Sequence, residues 1–379
     1  MNQTTNGTKK KRVVVGLSGG VDSAVSIIRL REQGYDVEAM FMRNWDSSLN
    51  NDVLGNPHIE DDVCPQEVDY IDALKTAEAL GVKLHRVDFV LEYWDRVFKY
   101  FIEEYSAGRT PNPDVLCNKE IKFKAFLDKA MDMGFDYIAM GHYARVDHSN
   151  GVKLLRGVDS NKDQTYFLHQ LTQAQLSKAL FPVGDLTKAE VRKIAKDYNL
   201  PIATKKDSTG VCFIGERNFK KFLENYIPAK PGNMETLDGE VVGKHDGIMY
   251  YTIGQRHGLG LGGAGDAWFV LGKDLERNVL LVGRGAEQEY LYSNRAIISN
   301  INWISDNREI SACTAKFRYR SNDVEVKLKW ITDEKIEVFY GGKAKAVTPG
   351  QSAVFYDGEI VLGGGTIQEV YMNDEKRRY

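Results

Sequence analysis

Hydrophobic periodicity changes along this chain of 379 residues, and the change constrains the fold more than any other feature. Up to about residue 140, continuous apolar runs such as 12–17 alternate with amphipathic helical patterns such as 67–80. This alternation favours a doubly wound α/β domain with a largely parallel sheet. From about residue 294 apolar and polar residues alternate with a period of two, as in 324–330, and Asp357-Gly358 separates two apolar runs. The second pattern predicts a small antiparallel β-barrel.

The chain is too long for one ordinary core, because a domain typically holds about 150 residues. Between residues 228 and 285 it is rich in glycine and in turn signals, which predicts a small β-rich module. We expect four parts. They are a disordered basic tail at 1–11, the parallel-sheet domain at 12–222, the β-rich central domain at 223–288 and the barrel at 289–379.

Charge is nearly balanced overall, with 50 Lys and Arg against 53 Asp and Glu and a net charge of −3. This balance argues against binding of nucleic acid over the whole surface. The distribution is uneven, however. Residues 43–72 hold eight acids and one base, whereas residues 108–129 carry a net charge of +2 and residues 311–345 carry +3. The two basic stretches predict a local positive surface, so the overall balance excludes only binding over the whole surface.

Two further features indicate the cellular compartment. No apolar run approaches the roughly 20 residues that a bilayer crossing needs, so we expect no membrane partner. The four cysteines, at 64, 117, 212 and 313, form no CxxC pair and no dense disulfide framework, and the first residues lack the apolar core of a secretory signal. We therefore expect a cytoplasmic protein.

The segment GLSGGVDS lies between the first apolar run and the first helical pattern, and it is typical of a polyphosphate-binding loop. It comprises Gly16, Leu17, Ser18, Gly19, Gly20, Val21, Asp22 and Ser23. Glycines let backbone N–H groups approach a ligand closely, and the positive end of the following helix favours anions. The loop has neither the Walker A lysine nor the GxGxxG spacing. A purely structural glycine turn is the alternative, which the flanking strand and helix disfavour.

Two cysteines lie in loops rather than in core patterns. Cys117 follows two prolines, and we expect the helix 118–133 to begin directly after it, which together with nearby lysines would lower the pKa of the thiol. Asp114 could carry a proton in the same loop, or it could simply cap the helix. Cys212 lies in a glycine-flanked segment. One thiol of such a pair can carry a persulfide that the other resolves. A buried structural role remains the alternative for Cys117, and we expect Cys313 to be structural.

Between residue 12 and about residue 370 the chain carries a series of distinctive segments: GLSGGVDS, FMRNWD, GRTPNPDVLCNKEIKF, GHYAR, KDQTYFL, STGVCFIGERNF, YTIGQRHGLG, FRYR and TPGQSAVFY. By these segments, which occur in family order at family-like spacing, the chain resembles bacterial-type tRNA-specific 2-thiouridylases, which belong to the ATP pyrophosphatase (PP-loop) superfamily.

The resemblance implies that ATP adenylates the C2 oxygen of the wobble uridine in a tRNA anticodon, and that persulfide sulfur then gives 2-thiouridine with release of AMP and pyrophosphate. ATP, with Mg²⁺ expected beside it, would bind the loop together with Met42 and Gly141. Cys117 would be the catalytic nucleophile, Cys212 would carry a persulfide received from a sulfur-relay donor protein, and Asp114 would act as acid and base. Asn112, Pro113 and Asp114 would face the target base. The anticodon stem-loop would contact His142, Lys162, Asp163, Gln164, Arg318, Tyr319 and Gln351.

Three other functions stay open on the sequence. A PP-loop ligase or synthetase with a nitrogen nucleophile would need the loop but neither Cys117 nor Cys212. A cluster-binding sulfurtransferase would use these two cysteines and Asp114 as iron ligands. An RNA-binding module would use the barrel alone, which the intact ATP loop disfavours. The residues also leave open whether the persulfide attacks the base directly or releases hydrosulfide first.

Overall fold

The computed structural model describes residues 10–58, 60, 65–149, 151–207, 214, 217–305 and 307–378. The predicted tail, except for its last two residues, and Cys212 lie outside these ranges. The N-terminal elements follow in chain order. They are β1 (Arg12–Gly16), α1 (Val21–Glu32), β2 (Asp36–Arg43), α2 (Pro65–Leu80), β3 (Leu84–Asp88), α3 (Val90–Tyr93), a π-helical turn (Trp94–Phe98), α4 (Lys99–Ser106), α5 (Pro113–Leu116), a π-helical segment (Cys117–Ala125), α6 (Phe126–Asp132), β4 (Tyr137–Ala139), β5 (Ala144–Asp147), β6 (Lys153–Arg156), a 3₁₀ turn (Thr165–Leu168), α7 (Gln173–Leu176), β7 (Ala179–Leu180), α8 (Lys188–Asp197) and α9 (Phe219–Glu224).

A parallel sheet organises this half, and within the described residues its strand order is β3-β2-β1-β4-β7. The chain runs outward from β1 through β2 to β3 and then returns to the other side of β1 as β4. The order therefore reverses beside β1, and ligands of open α/β sheets bind at the carboxyl ends of the strands at such a point. The predicted phosphate loop follows β1 directly, so the fold places it there.

Both faces of the sheet are covered, as the continuous apolar run of β1 predicts. Val13 and Val15 pack into a core with residues of α1, α2 and α8. Val14, which points to the opposite face, belongs to a second core that contains the aromatic residues of the α3–α4 region. That second core extends into the central module, so the parallel-sheet domain and the module share buried apolar surface.

The C-terminal half is built from strands, as the sequence predicts. Its elements are β8 (Gly232–Glu235), β9 (Val241–His245), a 3₁₀ turn (Ile248–Tyr250), β10 (Phe269–Asp274), β11 (Val279–Gly283), a 3₁₀ turn (Gly285–Leu291), β12 (Tyr292–Trp303), β13 (Ala312–Lys316), β14 (Val324–Thr332), β15 (Lys335–Lys345), β16 (Ser352–Asp357), β17 (Ile360–Met372) and β18 (Glu375–Lys376). Strands β8 to β11 form the central sheet. In the described part of the chain, β12-β15-β14-β13-β16-β17 form an antiparallel barrel of six strands, which β17 closes by pairing with β12. The predicted hairpin at Asp357-Gly358 is the β16–β17 turn.

The hairpin β5–β6 joins the two halves. By sequence it belongs to the N-terminal domain, but Leu155 of β6 pairs with Ile360 of β17, so the hairpin extends the barrel sheet. No local pattern signals this pairing, because the partner strand lies about 200 residues away in the sequence. None of the helices in the described ranges combines the length and apolar character that a bilayer crossing needs.

Candidate active site

The loop between β1 and α1 ends at a helix N-terminus that offers backbone donors to a ligand. Gly20 is the N-cap of α1 and supplies no side-chain cap, so the N–H groups of the first helical turn are available. Ser23 Oγ accepts a hydrogen bond from the backbone nitrogen of Ser18 (3.2 Å) and donates one to the carbonyl of Gly20 (3.0 Å). These bonds hold the loop in one shape at the positive end of the helix, which suits an anion.

Glycines at this loop allow close approaches that no other residue permits. Gly19 has φ +75°, and a Cβ on it would lie 2.4 Å from the backbone oxygen of Asp69. A Cβ on Gly141, just after β4, would lie 2.8 Å from a backbone nitrogen in the first turn of α1. A Cβ on Gly16 would lie 3.4 Å from Cε of Met42. Gly141 and Met42, which the resemblance assigns to the nucleotide site, therefore do lie against the loop.

A lysine that the sequence analysis missed supports the loop from outside. Lys205 Nζ donates to the carbonyl oxygen of Gly19 (3.2 Å) and to the carboxylates of Asp69 (2.8 Å) and Asp72 (2.7 Å). Partial burial of Lys205 disfavours its charge, but the two carboxylates outweigh this effect and raise its pKa. Lys205 lies 186 residues from Gly19 in the chain. Only the tertiary structure brings them together.

A second lysine joins the loop to the segment before Cys212. Lys188 Nζ donates to both carboxylate oxygens of Asp22, at 2.7 and 2.9 Å, and lies 2.9 Å from Asp207. Asp22 also accepts from the hydroxyl of Tyr143 (2.8 Å). Lys162, which the resemblance assigns to tRNA, pairs with Asp207 at 2.8 Å in this structure. Partial burial raises the pKa of Asp207, but its hydrogen bonds to Lys162 and Lys188 prevail and lower it.

Cys212 lies outside the described residues, and two described residues flank it at a distance of five positions on each side. Asp207 is joined through Lys188 to the phosphate loop. Arg217, on the other side, lies 2.9 Å from the carboxylate of Asp52, and both side chains are almost completely buried, at 5% and 0% exposure. Asp52 belongs to the acid-rich stretch 43–72, so part of the negative charge seen in the sequence is neutralised inside the protein.

Cys117 is fully buried and lies one helical turn inside a helix. The prediction that the helix begins at residue 118 was wrong: it begins at Pro113, and Asn112 is the cap, with Oδ1 accepting from the backbone nitrogen of Val115 (3.4 Å). Proline is favoured at the first helical position because its ring presets φ and its missing N–H is not needed there. Capping is therefore the role of Asn112 and not of Asp114, which lies in the first turn. The helix dipole contributes little to a thiol at the depth of Cys117.

The barrel holds the segment that leads into this helix. Gln351 Nε2 donates to the carbonyl oxygens of Thr110 (2.7 Å) and Pro111 (3.3 Å), and the backbone nitrogen of Thr110 donates to the carbonyl of Pro349 (3.3 Å). A Cβ on Gly350 would lie 3.0 Å from the backbone of Thr110. Gln351, which the resemblance assigns to tRNA, therefore also positions the segment before Asn112.

Two of the residues assigned to tRNA by the resemblance are largely buried. His142 is 8% exposed and lies beside the rings of Phe123 and Phe181, with centroids 6.0 and 6.1 Å away. Burial first, and the charge of Lys122 second, lower its pKa well below 6.5, so the imidazole is neutral. Asp163 is 7% exposed, and its carboxylate accepts from the backbone and hydroxyl of Thr165. In this structure the side chains of His142 and Asp163 therefore contact other residues of the protein.

Of the remaining assigned residues, Gln164 contacts its own domain, whereas Arg318 and Tyr319 lie where the domains meet. Gln164 Oε1 accepts from the backbone nitrogen of Tyr143 (3.0 Å). Arg318 donates to the carbonyl of Ile253 in the central module (2.9 Å), and the ring of Tyr319 lies 4.4 Å from that of Phe167. The side chain of Asn118, next to Cys117, donates to the carbonyl of Phe167 (3.2 Å). The structure thus brings Tyr319 and the 3₁₀ turn after Gln164 up to the Cys117 helix.

Comparison with known proteins gives matches over nearly the whole chain. Family models described as tRNA methyl transferase HUP domain, tRNA methyl transferase PRC-barrel domain and aminomethyltransferase beta-barrel domain match residues 11–216, 220–284 and 293–367. A tRNA-specific 2-thiouridylase MnmA of Acholeplasma laidlawii is 59% identical over 98% of this chain and 100% of its own length. The protein of the same name in Geobacillus thermodenitrificans is 58% identical over 97% of both chains.

Some solved structures match this chain at much lower identity. The U34-tRNA thiolase NcsA from Methanococcus maripaludis, solved with its 4Fe-4S cluster, is 18% identical, covers 54% of this chain and 63% of its own, and has a TM-score of 0.34. A score this low does not bear on function. The identity to curated relatives over nearly the full length does bear on function. It also agrees with the loop, the Cys117 helix and the three-part fold. The chain belongs to the tRNA-specific 2-thiouridylase family.

Proposed function

We propose that this chain thiolates the wobble uridine of tRNA anticodons at C2, in the cytoplasm, with a persulfide as the sulfur source. As a member of its family it is an ATP-dependent tRNA-uridine 2-sulfurtransferase of the PP-loop type. The wobble position, the residue roles and the sulfur donor are our proposal. The observation that carries it is the loop 16–23, whose open helix N-terminus lies at the switch point of the parallel sheet.

Adenylation is the first step. The C2 oxygen of the uridine attacks the α-phosphorus of ATP, and the bond to the β-phosphate breaks, so pyrophosphate leaves. Backbone donors of the loop and the positive end of α1 stabilise the departing charge. Met42 and Gly141 lie against this loop and line the nucleotide site in the proposal.

Mg²⁺ arrives with the nucleotide, because phosphate oxygens are its preferred ligands. Within the described ranges, no group of three or more His, Cys, Asp or Glu side chains is placed to hold a metal ion. The carboxylate of Asp22, the one acid in the loop, is engaged by Lys188. When bound, the ion neutralises charge on the phosphates.

Sulfur transfer is the second step. Cys212 carries a persulfide received from a donor protein, and its terminal sulfur attacks C2 while AMP leaves. Cys117 attacks the inner sulfur, so the S–S bond of the persulfide breaks and a Cys117–Cys212 disulfide forms. In the alternative order Cys117 attacks first and releases hydrosulfide, which then attacks C2. Both orders leave the same disulfide, which a thiol reductant must reduce before the next turnover.

Contacts to tRNA complete the proposal. Asn112, Pro113 and Asp114 face the flipped base at the start of the Cys117 helix, with Asp114 moving the proton. The stem-loop binds along His142, Lys162, Asp163, Gln164, Arg318, Tyr319 and Gln351. Of these, Tyr319 and Gln351 are supported by their position, since Gln351 holds the segment before Asn112 and Tyr319 packs beside the turn that contacts Asn118.

One assay tests the proposal. The protein is incubated with ATP, a persulfide-loaded donor and unmodified tRNA, and digested nucleosides are measured by mass spectrometry. The wild type should form 2-thiouridine, and Cys117→Ser and Cys212→Ser should each abolish it. Cys313→Ser is the matched control, because burial in the barrel raises the pKa of Cys313 to about 12 and keeps it unreactive. Full activity of Cys212→Ser, or no product from the wild type, would contradict the proposal.

A further inference from the structure

Lys273 is a buried lysine whose charge the reaction above does not use. It lies on β10 in the central sheet and is 6% exposed. Its Nζ donates a hydrogen bond of 2.7 Å to the carbonyl oxygen of Gly108 in the parallel-sheet domain. Burial lowers the pKa of Lys273 to about 7. No carboxylate among the described residues pairs with it, and the Gly108 carbonyl is the acceptor of its hydrogen bond.

The carbonyl of Gly108 belongs to the end of α4. The backbone nitrogens of Gly108 and Arg109 donate to the carbonyls of Tyr105 and Glu104, both at 2.9 Å, which closes the last turn of the helix. Carbonyls at a helix C-terminus lack partners and carry the negative end of the helix dipole. Gly108 directly follows the C-cap Ala107, so Lys273 holds from another domain the first residue after the end of α4.

The central module also covers Gly108 sterically. Gly108 has φ +74°, and a Cβ on it would lie 2.5 Å from Cδ2 of Leu275, which follows β10. Burial of a lysine amine is costly unless the group is hydrogen-bonded, and here its acceptor is the Gly108 carbonyl. The hydrogen bond joins two domains at a single backbone atom, which an apolar side chain cannot do.

Gly108 is the start of the segment that enters the active site. From there the chain runs through Thr110, which Gln351 of the barrel holds by its carbonyl, to Asn112, the cap of the Cys117 helix. The hydroxyl of Thr252 in the central module lies 3.5 Å from that of Thr110. Lys273 therefore fixes the beginning of this segment, and the barrel fixes its middle.

We infer that Lys273 is a positioning residue for Cys117: by holding the Gly108 carbonyl it sets the path of the segment 108–112 and so the place of the helix that carries the nucleophile. Lys273 contacts neither Cys117 nor the loop 16–23, so it acts through the backbone alone. The inference rests on the proposed role of Cys117 in sulfur transfer. It also gives the central module a function, which is to hold the segment 108–112 in place.

Lys273→Met tests the inference. Methionine fills the same space but leaves the Gly108 carbonyl without this donor, so the variant should still fold and should unfold at a somewhat lower temperature than the wild type. The kcat for 2-thiouridine formation should fall about 100-fold, because a displacement near 1 Å at a reacting group has an effect of that order, while the KM for ATP stays within about twofold. Lys244→Met is the matched control, because Lys244 is an exposed lysine on β9 of the same sheet. It should leave kcat and KM unchanged.

Hydrogen exchange measured by mass spectrometry supplies a readout that needs no turnover. In Lys273→Met the peptide covering 108–117 should exchange faster than in the wild type, and peptides of the loop 16–23 should not. Lys273→Arg, which keeps a donor, should recover most of the lost kcat. Wild-type kcat and unchanged exchange in Lys273→Met would overturn the inference, and so would equal losses in the Met and Arg variants. A wild type that makes no 2-thiouridine would instead refute the proposed function, and the exchange result would still decide the role of Lys273.

Discussion

Replacing Gly19 by alanine changes the phosphate loop at its most constrained point. Gly19 has φ +75°, a conformation that costs an L-residue with a side chain about 1–2 kcal/mol. The new Cβ would also lie 2.4 Å from the carbonyl oxygen of Asp69, about 1 Å inside ordinary contact. That oxygen belongs to the backbone of α2 and cannot rotate away, so the loop itself must move. Overpacking of this kind adds about 1–3 kcal/mol.

Gly81→Ala separates the two contributions. Gly81 has φ +61°, but nothing lies within 4 Å of a Cβ built on it, so this variant should lose only the conformational part. We expect urea denaturation to show a loss of about 1–2 kcal/mol for Gly81→Ala and about 2–5 kcal/mol for Gly19→Ala. A loop displaced by about 1 Å no longer aligns its donors with the phosphates, so tRNA-dependent pyrophosphate release should fall about 100-fold in Gly19→Ala alone.

If Gly19→Ala unfolds at the same urea concentration as Gly81→Ala and releases pyrophosphate at the wild-type rate, the close approach to Asp69 has no energetic consequence. The loop would then not be the rigid phosphate site described above.

Three more predictions concern buried and paired charges. Lys205→Met removes the cation that holds the loop carbonyl and should weaken binding of a non-hydrolysable ATP analogue about tenfold in calorimetry, whereas Lys206→Met, at an exposed neighbour, should not. Burial is the main cause that lowers the pKa of His169 to about 4, so below pH 6.5 the unfolded chain binds a proton that the folded chain does not. The free energy of unfolding should therefore fall by about 1.4 kcal/mol per pH unit from this group between pH 6.5 and 4, and His169→Gln should flatten that slope. Arg217→Met leaves the Asp52 carboxylate buried without its cation and should lose about 3–5 kcal/mol in urea denaturation, part of which Arg217→Met/Asp52→Asn should restore.

Each of these has a contrary outcome. Equal ATP affinity in the two lysine variants would show that Lys205 serves only its carboxylates. An unchanged pH slope in His169→Gln would mean that His169 titrates alike in the folded and unfolded chain. A loss under about 1 kcal/mol in Arg217→Met would show that the Asp52 site admits water.

Local chemistry accounts for the parts of the fold and site that were predictable. The run 12–17 reads as a buried parallel strand because both of its faces are apolar, and the structure packs Val13 and Val14 into different cores. The loop 16–23 could be predicted from the sequence because a phosphate-binding loop needs glycines, with a strand directly before them and a helix directly after them. The error at Cys117 was also local, since Pro113 suits a stiff loop and a first helical position equally well.

The sequence by itself determined the α/β half, the barrel and, through its motifs, the family, and it predicted the phosphate loop, because each of these depends on residues within a few turns or strands of one another. Only the tertiary structure decided that Lys205 supports Gly19, that β5–β6 extends the barrel sheet, and that Lys273 and Gln351 hold the segment before Cys117. These contacts join residues more than 150 positions apart, and periodicity carries no information about such partners. In the proposed active site, the loop and the helix are each built from neighbouring residues of the sequence, whereas the residues that fix their positions are distant in the sequence.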